Sequence, residues 1–234
     1  MNERPFQYVG SELELFAVAV DWKAYLAEQV RPFLGRDVLE VGTGIGSTMQ
    51  ALCSHEQTTW TGVEPDAELA AAARGVSVPS GVAVDVRHGT IDAVGPSERF
   101  DSVIYIDVLE HIEADAAELQ SSSAHLRSGG HLIVLSPAHQ WLYSPFDKAI
   151  GHFRRYTAKT LNGVRPANLT QRRLRYLDSV GMCASLANRI LLKQSLPTRG
   201  QIALWDRRIV PISRLVDPLF GFTLGRSILG VWQA

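Results

Sequence analysis

The chain contains 234 residues, of which 46% are hydrophobic and 20% are charged, and its formal net charge is -1. These values exclude a disordered, collagen-like or uniformly basic nucleic-acid-coating protein, and the length favours one main α/β core. The charge is divided unevenly, because residues 1–147 carry 8 Lys and Arg against 21 Asp and Glu, whereas residues 148–234 carry 15 against 3. We therefore expect the two parts of the chain to face different surroundings.

Apolar residues recur at steps of three and four from Leu13 to Val30, which predicts a leading amphipathic helix that Pro32 ends. Strands and helices then alternate along the chain. The predicted strands cover residues 37–42, 58–64, 82–86, 100–107 and 131–137, and the predicted helices are one running through Leu52, one over 66–75 and one over 113–126. This alternation predicts right-handed βαβ units and a parallel sheet.

The pattern changes after the fifth strand, where residues 138–157 are rich in aromatic and basic side chains without a clear period. We therefore expect a site rather than a core in this segment. Further on, residues 174–181 predict a strand, 183–193 a helix and 226–233 a terminal strand. Between the last two, residues 194–222 carry three prolines and paired arginines, which indicates an insertion.

The cysteine content and the apolar pattern indicate where the protein works. Cys53 and Cys183 are the two cysteines, and no CxxC spacing is present, which indicates neither a disulfide framework nor a zinc site. The N-terminal residues lack a basic and apolar leader pattern, and no run of about 18 uncharged apolar residues occurs. We therefore expect a cytoplasmic protein without a membrane span.

The first strand runs into a turn with glycines at alternate positions, Gly42, Gly44 and Gly46. Such a turn lets the backbone approach a ligand closely, and the following helix offers free N–H groups to it. The GTGIGS spacing differs from the G-x-G-x-x-G dinucleotide fingerprint, and no G-x-x-x-x-G-K-[ST] phosphate loop occurs. Glu64 ends the second strand about twenty residues later, where doubly wound folds place a carboxylate on ribose hydroxyls. Glu40, just before the glycines, disfavours a pyrophosphate and favours a cationic ligand.

Four motifs, in this order along the chain, resemble those of class I S-adenosylmethionine-dependent methyltransferases. They are DVLEVGTGIGS (37–47), GVEPD (62–66), FDSVIYIDVLEHI (100–112) and GGHLIVLSPA (129–138), and the segment SPFDKAIGHFRRYT (144–157) resembles bacterial members of the methyltransferase-23 or -12 type. The resemblance implies an α/β fold, a Rossmann-like doubly wound sheet that is mostly parallel with an antiparallel last strand. Helices would cover both faces, and the C-terminal insertion would lie near the substrate site.

The same resemblance implies one methyltransferase domain over residues 1–234. Its parts are an N-terminal helical cover (1–34), a cofactor-binding half (35–137) and a substrate-side half with the insertion (138–234). The implied cofactor is S-adenosylmethionine, with S-adenosylhomocysteine as its product. By family position, the glycine turn would contact the methionine part and ribose, Glu40 would face the amino acid moiety, and Glu64 would bind the ribose hydroxyls. Pro65 and Asp66 would flank the adenosine, and Thr90 and Ile91 would lie beside the adenine. Asp107 and Val108 would lie near the methionine part and the reacting methyl. The implied cofactor-binding residues are Glu40, Gly42, Thr43, Gly44, Glu64, Pro65, Asp66, Thr90, Ile91, Asp107 and Val108.

A sulfonium methyl is already activated, so the protein must mainly hold a nucleophile in line with it and remove its proton. His152 is the preferred base candidate, because Arg154, Arg155 and Tyr156 beside it suit an anionic or phenolic ligand. His111 follows the carboxyl end of the fourth strand, where it either contacts the substrate or shapes the cofactor pocket. Tyr143 completes the set of catalytic candidates.

The aromatic side chains of the 138–157 segment would wall an acceptor pocket, or else belong to ordinary core under the insertion. The candidate substrate-binding residues are Trp141, Phe146, Arg154, Arg155 and Tyr156. Asp107, Glu110 and His111 are close in sequence, but no distant Asp-Asn pair accompanies them, so no metal is predicted.

The predicted function is methyl transfer to a small, neutral or anionic acceptor in bacterial secondary metabolism, with oxygen favoured over nitrogen, sulfur or carbon. A methyltransferase acting on nucleic acid, protein or a lipid-linked substrate stays open, as does a non-catalytic cofactor-binding protein. The basic C-terminal part permits peripheral membrane contact. Nucleic acid is disfavoured, because the chain lacks an RNA-recognition signature and an NPPY-like tetrapeptide after the fourth strand. The sequence defines no oligomeric state.

Overall fold

The structure is a computed structural model that describes residue 8 and residues 12–191 and 198–234. Its centre is a seven-stranded sheet with the strand order β3-β2-β1-β4-β5-β7-β6. The strands are β1 (Asp37–Val41), β2 (Thr59–Glu64), β3 (Ala83–His88), β4 (Phe100–Ile106), β5 (Leu126–Pro137), β6 (Thr170–Leu177) and β7 (Ser227–Gln233).

The sheet is parallel from β3 through β5, and only β7 runs against its neighbours β5 and β6. The central strands β1 and β4 are buried along most of their length, as expected for parallel strands covered on both faces. The prediction of a Rossmann-like, mostly parallel sheet with an antiparallel last strand is confirmed. The order reverses between β1 and β4, so the carboxyl ends of these two strands form a crevice.

Helices cover both faces of the sheet and bury two separate apolar clusters. The helices are α1 (Glu12–Ala17), α2 (Val20–Val30), α3 (Ser47–Leu52), α4 (Ala67–Arg74), α5 (Asp115–Ser123), α6 (Pro145–Ala149), α7 (Ala158–Gly163), α8 (Ser179–Leu191), α9 (Arg199–Leu204) and α10 (Val210–Leu219). One cluster joins Trp60 to α2, α3 and α4, and the other joins Tyr105 and Trp232 to α5 and α7.

Some predicted elements have different bounds in the structure, among them the strand over 131–137, which begins earlier as β5 at Leu126. The leading helix expected over residues 13–30 is interrupted after Ala17, and α2 starts anew at Val20 because Ala19 leaves the helical conformation and is fully buried. The strand expected over 174–181 is β6, which begins and ends four residues earlier. Asp178 ends this strand with a positive φ of 66° and accepts a hydrogen bond from the Gly181 backbone N–H, so α8 begins at Ser179 instead of residue 183.

The structure describes residues 198–222 of the predicted insertion, which are helical from Arg199 to Leu219, and residues 194–197 lie outside the described residues. A π-helical turn (Trp205–Ile209) joins α9 to α10. Buried Asp206 accepts a hydrogen bond from the Trp22 backbone N–H at 2.8 Å, and buried Asp217 accepts one from the Tyr25 hydroxyl at 2.7 Å. The insertion therefore holds α2 in place. No helix among the described residues has the length and apolar character needed to cross a bilayer.

Candidate active site

A cavity of about 210 Å³ opens at the carboxyl ends of β1 and β4. Open α/β sheets bind their ligands at this kind of crevice. The glycine turn after β1 forms one end of the cavity, and the segment after β5 and the start of β7 form the other. Side chains from α2 and from the π-helical turn, including Trp22 and Trp205, complete the wall.

The glycine turn adopts backbone conformations that favour glycine. Gly42, Gly44 and Gly46 have φ values of 72°, 55° and 80°. A Cβ atom at Gly42 would also lie 2.5 Å from Val108 Cγ2, so no other residue fits there without moving its neighbour. The turn consequently brings bare backbone to the edge of the cavity, where the N-terminus of α3 follows it.

Glu64 holds the glycine turn from the neighbouring strand. Its Oε2 accepts a hydrogen bond from the Gly44 N–H at 2.8 Å, and its Oε1 accepts one from the Asp66 N–H at 3.0 Å. Burial raises the pKa of Glu64, and the two N–H donors partly oppose this effect. Asp66 caps α4 and also accepts a hydrogen bond from the Tyr8 N–H at 2.8 Å.

Four of the predicted cofactor-binding residues line the cavity: Gly42, Thr43, Gly44 and Asp107. The other seven do not line it. Glu40 accepts a hydrogen bond from Trp60 Nε1 at 2.8 Å, and burial raises its pKa to about 8. Glu64 and Asp66 bind backbone N–H groups as described, and the Pro65 carbonyl lies 3.0 Å from His88 Nε2. Thr90 is exposed, and Ile91 is buried in the core. Val108 packs under the glycine turn. Their contacts with the cofactor stay predictions.

Asp107 occupies the end of β4 in a backbone conformation unusual for a non-glycine residue, with φ at 55°. Its side chain is exposed to the cavity. Although the side chain is exposed, the protein packed around it displaces part of its hydration and raises its pKa to about 6, while His152, Arg226 and Arg155 act in the opposite direction. At neutral pH this carboxyl group therefore offers a negative charge to a cationic ligand.

His152 is buried in the cavity wall, and its ring is held by an acid that the sequence did not predict as a site residue. Its Nδ1 lies 3.0 Å from Asp147 Oδ1, and Arg155 binds the same carboxylate through Nε at 2.8 Å and Nη2 at 3.0 Å. Burial works to raise the pKa of Asp147, but the hydrogen bonds from His152 and Arg155 hold it well below its usual range. Asp147 also pairs with Ser144 in the capping box of α6.

Glu110, His111 and His152, which we call the carboxylate–imidazole cluster, place one ligand atom each within 4.8 Å of one another. The two imidazole rings meet edge to face at 4.5 Å, and Glu110 Oε1 lies 3.8 Å from His152 Nε2. Burial raises the pKa of Glu110 well above its usual range and lowers that of His111 to about 4. One carboxyl group and two imidazoles suit a divalent transition-metal ion as well as a proton. The prediction of no metal stays a prediction.

The 138–157 segment brings some of its predicted residues into the cavity and turns others away. Phe146, His152 and Arg155 line the cavity. Arg154 and Tyr156 were predicted to bind substrate, but both bind Asp115 and neither lines the cavity. Asp115 is buried, and a buried carboxylate is stable only when hydrogen-bond donors are bound to it. Trp141 is half exposed outside the cavity, and Tyr143, a catalytic candidate, donates its hydroxyl hydrogen to the His152 carbonyl at 2.6 Å.

The cavity is also lined by residues that the sequence did not predict, among them Lys23, Asp147, Trp205 and Arg226. A signal for Asp147 was present, since it precedes His152 by five residues inside the segment already expected to form a site. Arg226 had no local signal. It reaches the cavity because β7 runs antiparallel and therefore begins at the edge where the parallel strands end.

The comparison with known families decides what this crevice belongs to. A family described as a methyltransferase domain (Methyltransf_23) matches residues 12–172, well over half of the chain. The chain belongs to this methyltransferase family. The sequence-based resemblance to class I S-adenosylmethionine-dependent methyltransferases is thereby confirmed, and S-adenosylmethionine is the cofactor that the family implies for the crevice.

Individual proteins similar to this methyltransferase agree with the family. A ubiquinone biosynthesis O-methyltransferase from Paramagnetospirillum magneticum is 35% identical over 101 residues, which is 43% of this chain and 40% of the relative. The chain thus spans well under half the length of the curated relatives it matches. Two S-adenosylmethionine-dependent methyltransferases of known structure share the fold. The one from Archaeoglobus fulgidus has a TM-score of 0.62 and 15% sequence identity, over 95% of this chain and 97% of that chain. The one from Mesorhizobium loti has a TM-score of 0.60 and 15% sequence identity, over 93% of this chain and 99% of that chain.

Proposed function

We propose that this methyltransferase transfers a methyl group from S-adenosylmethionine to a hydroxyl oxygen of a small-molecule acceptor, with His152 as the general base. The observation that carries the proposal is the His152–Asp147 pair in the wall of a cavity that the glycine turn closes at its other end. The relative from Paramagnetospirillum magneticum is named an O-methyltransferase, which supports oxygen as the acceptor atom. That name gives no support to a place in secondary metabolism.

The contacts of His152 favour one tautomer. Because Asp147 is a carboxylate and accepts only, the 3.0 Å contact requires the proton of the neutral imidazole on Nδ1. This leaves Nε2 free to receive a proton, as in the Ser-His-Asp triad, where a buried Asp bound to Nδ1–H holds the catalytic His in the same tautomer. Glu110 does not hold Nε2 by a hydrogen bond, since its Oε1 lies 3.8 Å from that atom.

Burial makes His111 a poor base in this setting. Its pKa of about 4 keeps the ring neutral, and a proton on it would lie beside the His152 ring in a poorly hydrated place. His111 is better suited to pack against His152 and fix the plane of that ring. Tyr143 fixes the backbone at the same point through its bond to the His152 carbonyl. Both residues are positioning residues in this proposal.

S-adenosylmethionine supplies a methyl group on a positively charged sulfur. Asp107 offers the negative charge that this sulfur favours, and the glycine turn offers the backbone surface for the rest of the cofactor. His152 Nε2 would take the hydroxyl proton of the acceptor as its oxygen receives the methyl group, which the bound cofactor would supply with S-adenosylhomocysteine as the leaving product. General base catalysis of this kind contributes a factor of about 10² to 10⁴ in rate.

The test combines a binding and a turnover measurement. Calorimetric titration with S-adenosylhomocysteine checks the cofactor site, and transfer of labelled methyl groups to a panel of phenols and small hydroxy compounds checks the reaction. We expect His152→Ala to lower kcat by about 10² to 10⁴ with unchanged affinity for S-adenosylhomocysteine. The exposed His55→Ala serves as the matched control and should keep full turnover. Full turnover in His152→Ala, or no binding of S-adenosylhomocysteine by folded wild-type protein, would contradict the proposal.

A further inference from the structure

Arg226 lines the cavity from the position directly before β7. Its carbonyl accepts a hydrogen bond from the Ala138 N–H at 2.8 Å, and its N–H donates to the Asp178 carbonyl at 3.2 Å. Its guanidinium group stacks on the Trp205 ring at 4.7 Å. The backbone hydrogen bonds and the indole ring together fix where the side chain points. Stacking uses the face of the guanidinium group, so the N–H donors at its edge stay free to bind a ligand.

Three Lys or Arg side chains line the cavity among the described residues, and they differ in how they are paired. Lys23 donates to the Ala17 carbonyl at 2.6 Å, and Arg155 donates twice to Asp147. The side chain of Arg226 donates no hydrogen bond to the described residues. Its nearest carboxylate, Asp178, stays 3.9 Å from Nε, which balances part of the charge without occupying the donors.

Asp178 has other partners, which explains why it does not draw Arg226 closer. Its oxygens accept hydrogen bonds from Trp205 Nε1, the Ser213 hydroxyl and the Gly181 N–H. The side chain of Arg226 is 30% exposed, and the protein packed around the rest of it lowers its pKa. A guanidinium group with unused donors at a cavity wall is a site for an anion, and a carboxylate matches its planar edge through two parallel hydrogen bonds.

The position of Arg226 in the sheet assigns this anion to the acceptor rather than to the cofactor. The glycine turn follows β1, while Arg226 precedes β7, and β4 and β5 lie between them. At a strand spacing of about 4.8 Å, three steps across the sheet amount to about 14 Å. Asp107, at the end of β4, lies on the path between the two ends.

We propose that Arg226 binds a carboxylate of the methyl acceptor, so that the acceptor is an aromatic or apolar hydroxy acid. This proposal rests on the proposed function, since it assumes that the far end of the cavity receives the acceptor. The wall around Arg226 supports an apolar body for that molecule, because Trp22, Phe146 and Trp205 face the same cavity. The carboxylate would fix the molecule at one end and leave its hydroxyl group near His152.

Benzoate and its neutral analogue benzamide test this site directly. Their affinities are measured by ligand-observed NMR with the wild-type protein saturated with S-adenosylhomocysteine. We expect benzoate to bind at least about tenfold more tightly than benzamide, since a charge-assisted pair of hydrogen bonds is worth more than a factor of ten. Arg226→Met should remove this preference, and Arg226→Lys should keep part of it. Arg172→Met, which removes the same charge from an exposed position on β6, should keep all of it.

Each other outcome overturns the proposal. Equal affinities in the wild type, undetectable binding of benzoate, or a preference that survives Arg226→Met would show that Arg226 is no carboxylate site. A loss of tenfold or more in S-adenosylhomocysteine affinity in Arg226→Met would assign the arginine to the cofactor instead. If Arg226→Met fails to fold, the wild-type comparison and Arg226→Lys still decide. Failure of the proposed function would be seen separately, in the calorimetric titration of the wild-type protein with S-adenosylhomocysteine.

Discussion

The buried pair of Glu40 and Trp60 predicts that the stability of the protein depends on pH in a defined direction. Burial raises the pKa of Glu40 from 4.5 to about 8, and the hydrogen bond from Trp60 Nε1 only partly opposes the rise. The folded protein thus keeps a proton on Glu40 that the unfolded chain releases. Stability is highest below the unfolded pKa and falls as the pH rises through the folded pKa, by about 1.4 kcal/mol for each pH unit inside that window.

Between about pH 5 and pH 8, this effect amounts to roughly 3 to 4 kcal/mol. Glu40→Gln removes it, because the amide oxygen still accepts the Trp60 N–H and the side chain no longer ionises. Urea unfolding followed by circular dichroism at several pH values measures the difference between wild type and variant, with the exposed Glu56→Gln as control. We expect the variant to be the more stable protein at pH 8 and the difference to vanish near pH 4. Parallel stability curves for the two proteins would refute the reasoning.

Three further predictions concern the glycine turn, the 138–157 segment and metal binding. Gly42→Ala places a Cβ atom 2.5 Å from Val108 at a residue with positive φ, and calorimetry should show S-adenosylhomocysteine binding weakened by about tenfold or more. Gly81→Ala, which strains the backbone in the same way but has open space around the new Cβ atom, should not weaken this binding. Tyr156→Phe leaves Asp115 without its 2.7 Å donor and should lower the free energy of unfolding by about 1 to 3 kcal/mol with turnover retained; lost turnover at unchanged stability would return this residue to the substrate site. Methyl transfer should survive dialysis against EDTA, and a loss that Zn²⁺ or Mn²⁺ restores would show that the carboxylate–imidazole cluster holds an ion.

The cofactor side of the crevice was predictable because its signals are local in sequence. A strand followed by three glycines at alternate positions predicts a turn that brings bare backbone to the edge of the sheet, and the structure has this turn. Glu64 was expected on ribose hydroxyls, which stays a prediction, and in the structure it accepts a hydrogen bond from the Gly44 N–H. The same local reasoning could not tell which face of β1 Glu40 would take. A one-residue difference in strand register decides whether such a side chain meets a ligand or a buried Trp60.

The acceptor side was only partly predictable, because its geometry depends on contacts between distant segments. Aromatic and basic composition marked the right segment, but composition does not say that Arg155 pairs with Asp147 while Arg154 pairs with Asp115. Those choices follow from the packing of α6 and α5 around the two buried acids. Trp205 and Arg226 enter the cavity from positions 50 and 71 residues beyond Arg155, a separation at which no spacing rule applies.

The place of β7 in the sheet has a consequence for the order of folding. Although β7 is the last of the seven strands along the chain, it lies between β5 and β6, so β6 has no partner in the sheet until β7 arrives. Contacts of such long sequence separation form late and slowly. The strands that carry the glycine turn can pair before them, which makes the acceptor half of the crevice the last part to assemble. Variants that weaken β7 should therefore accumulate a partly folded form with an unpaired strand edge, the kind of species that aggregates.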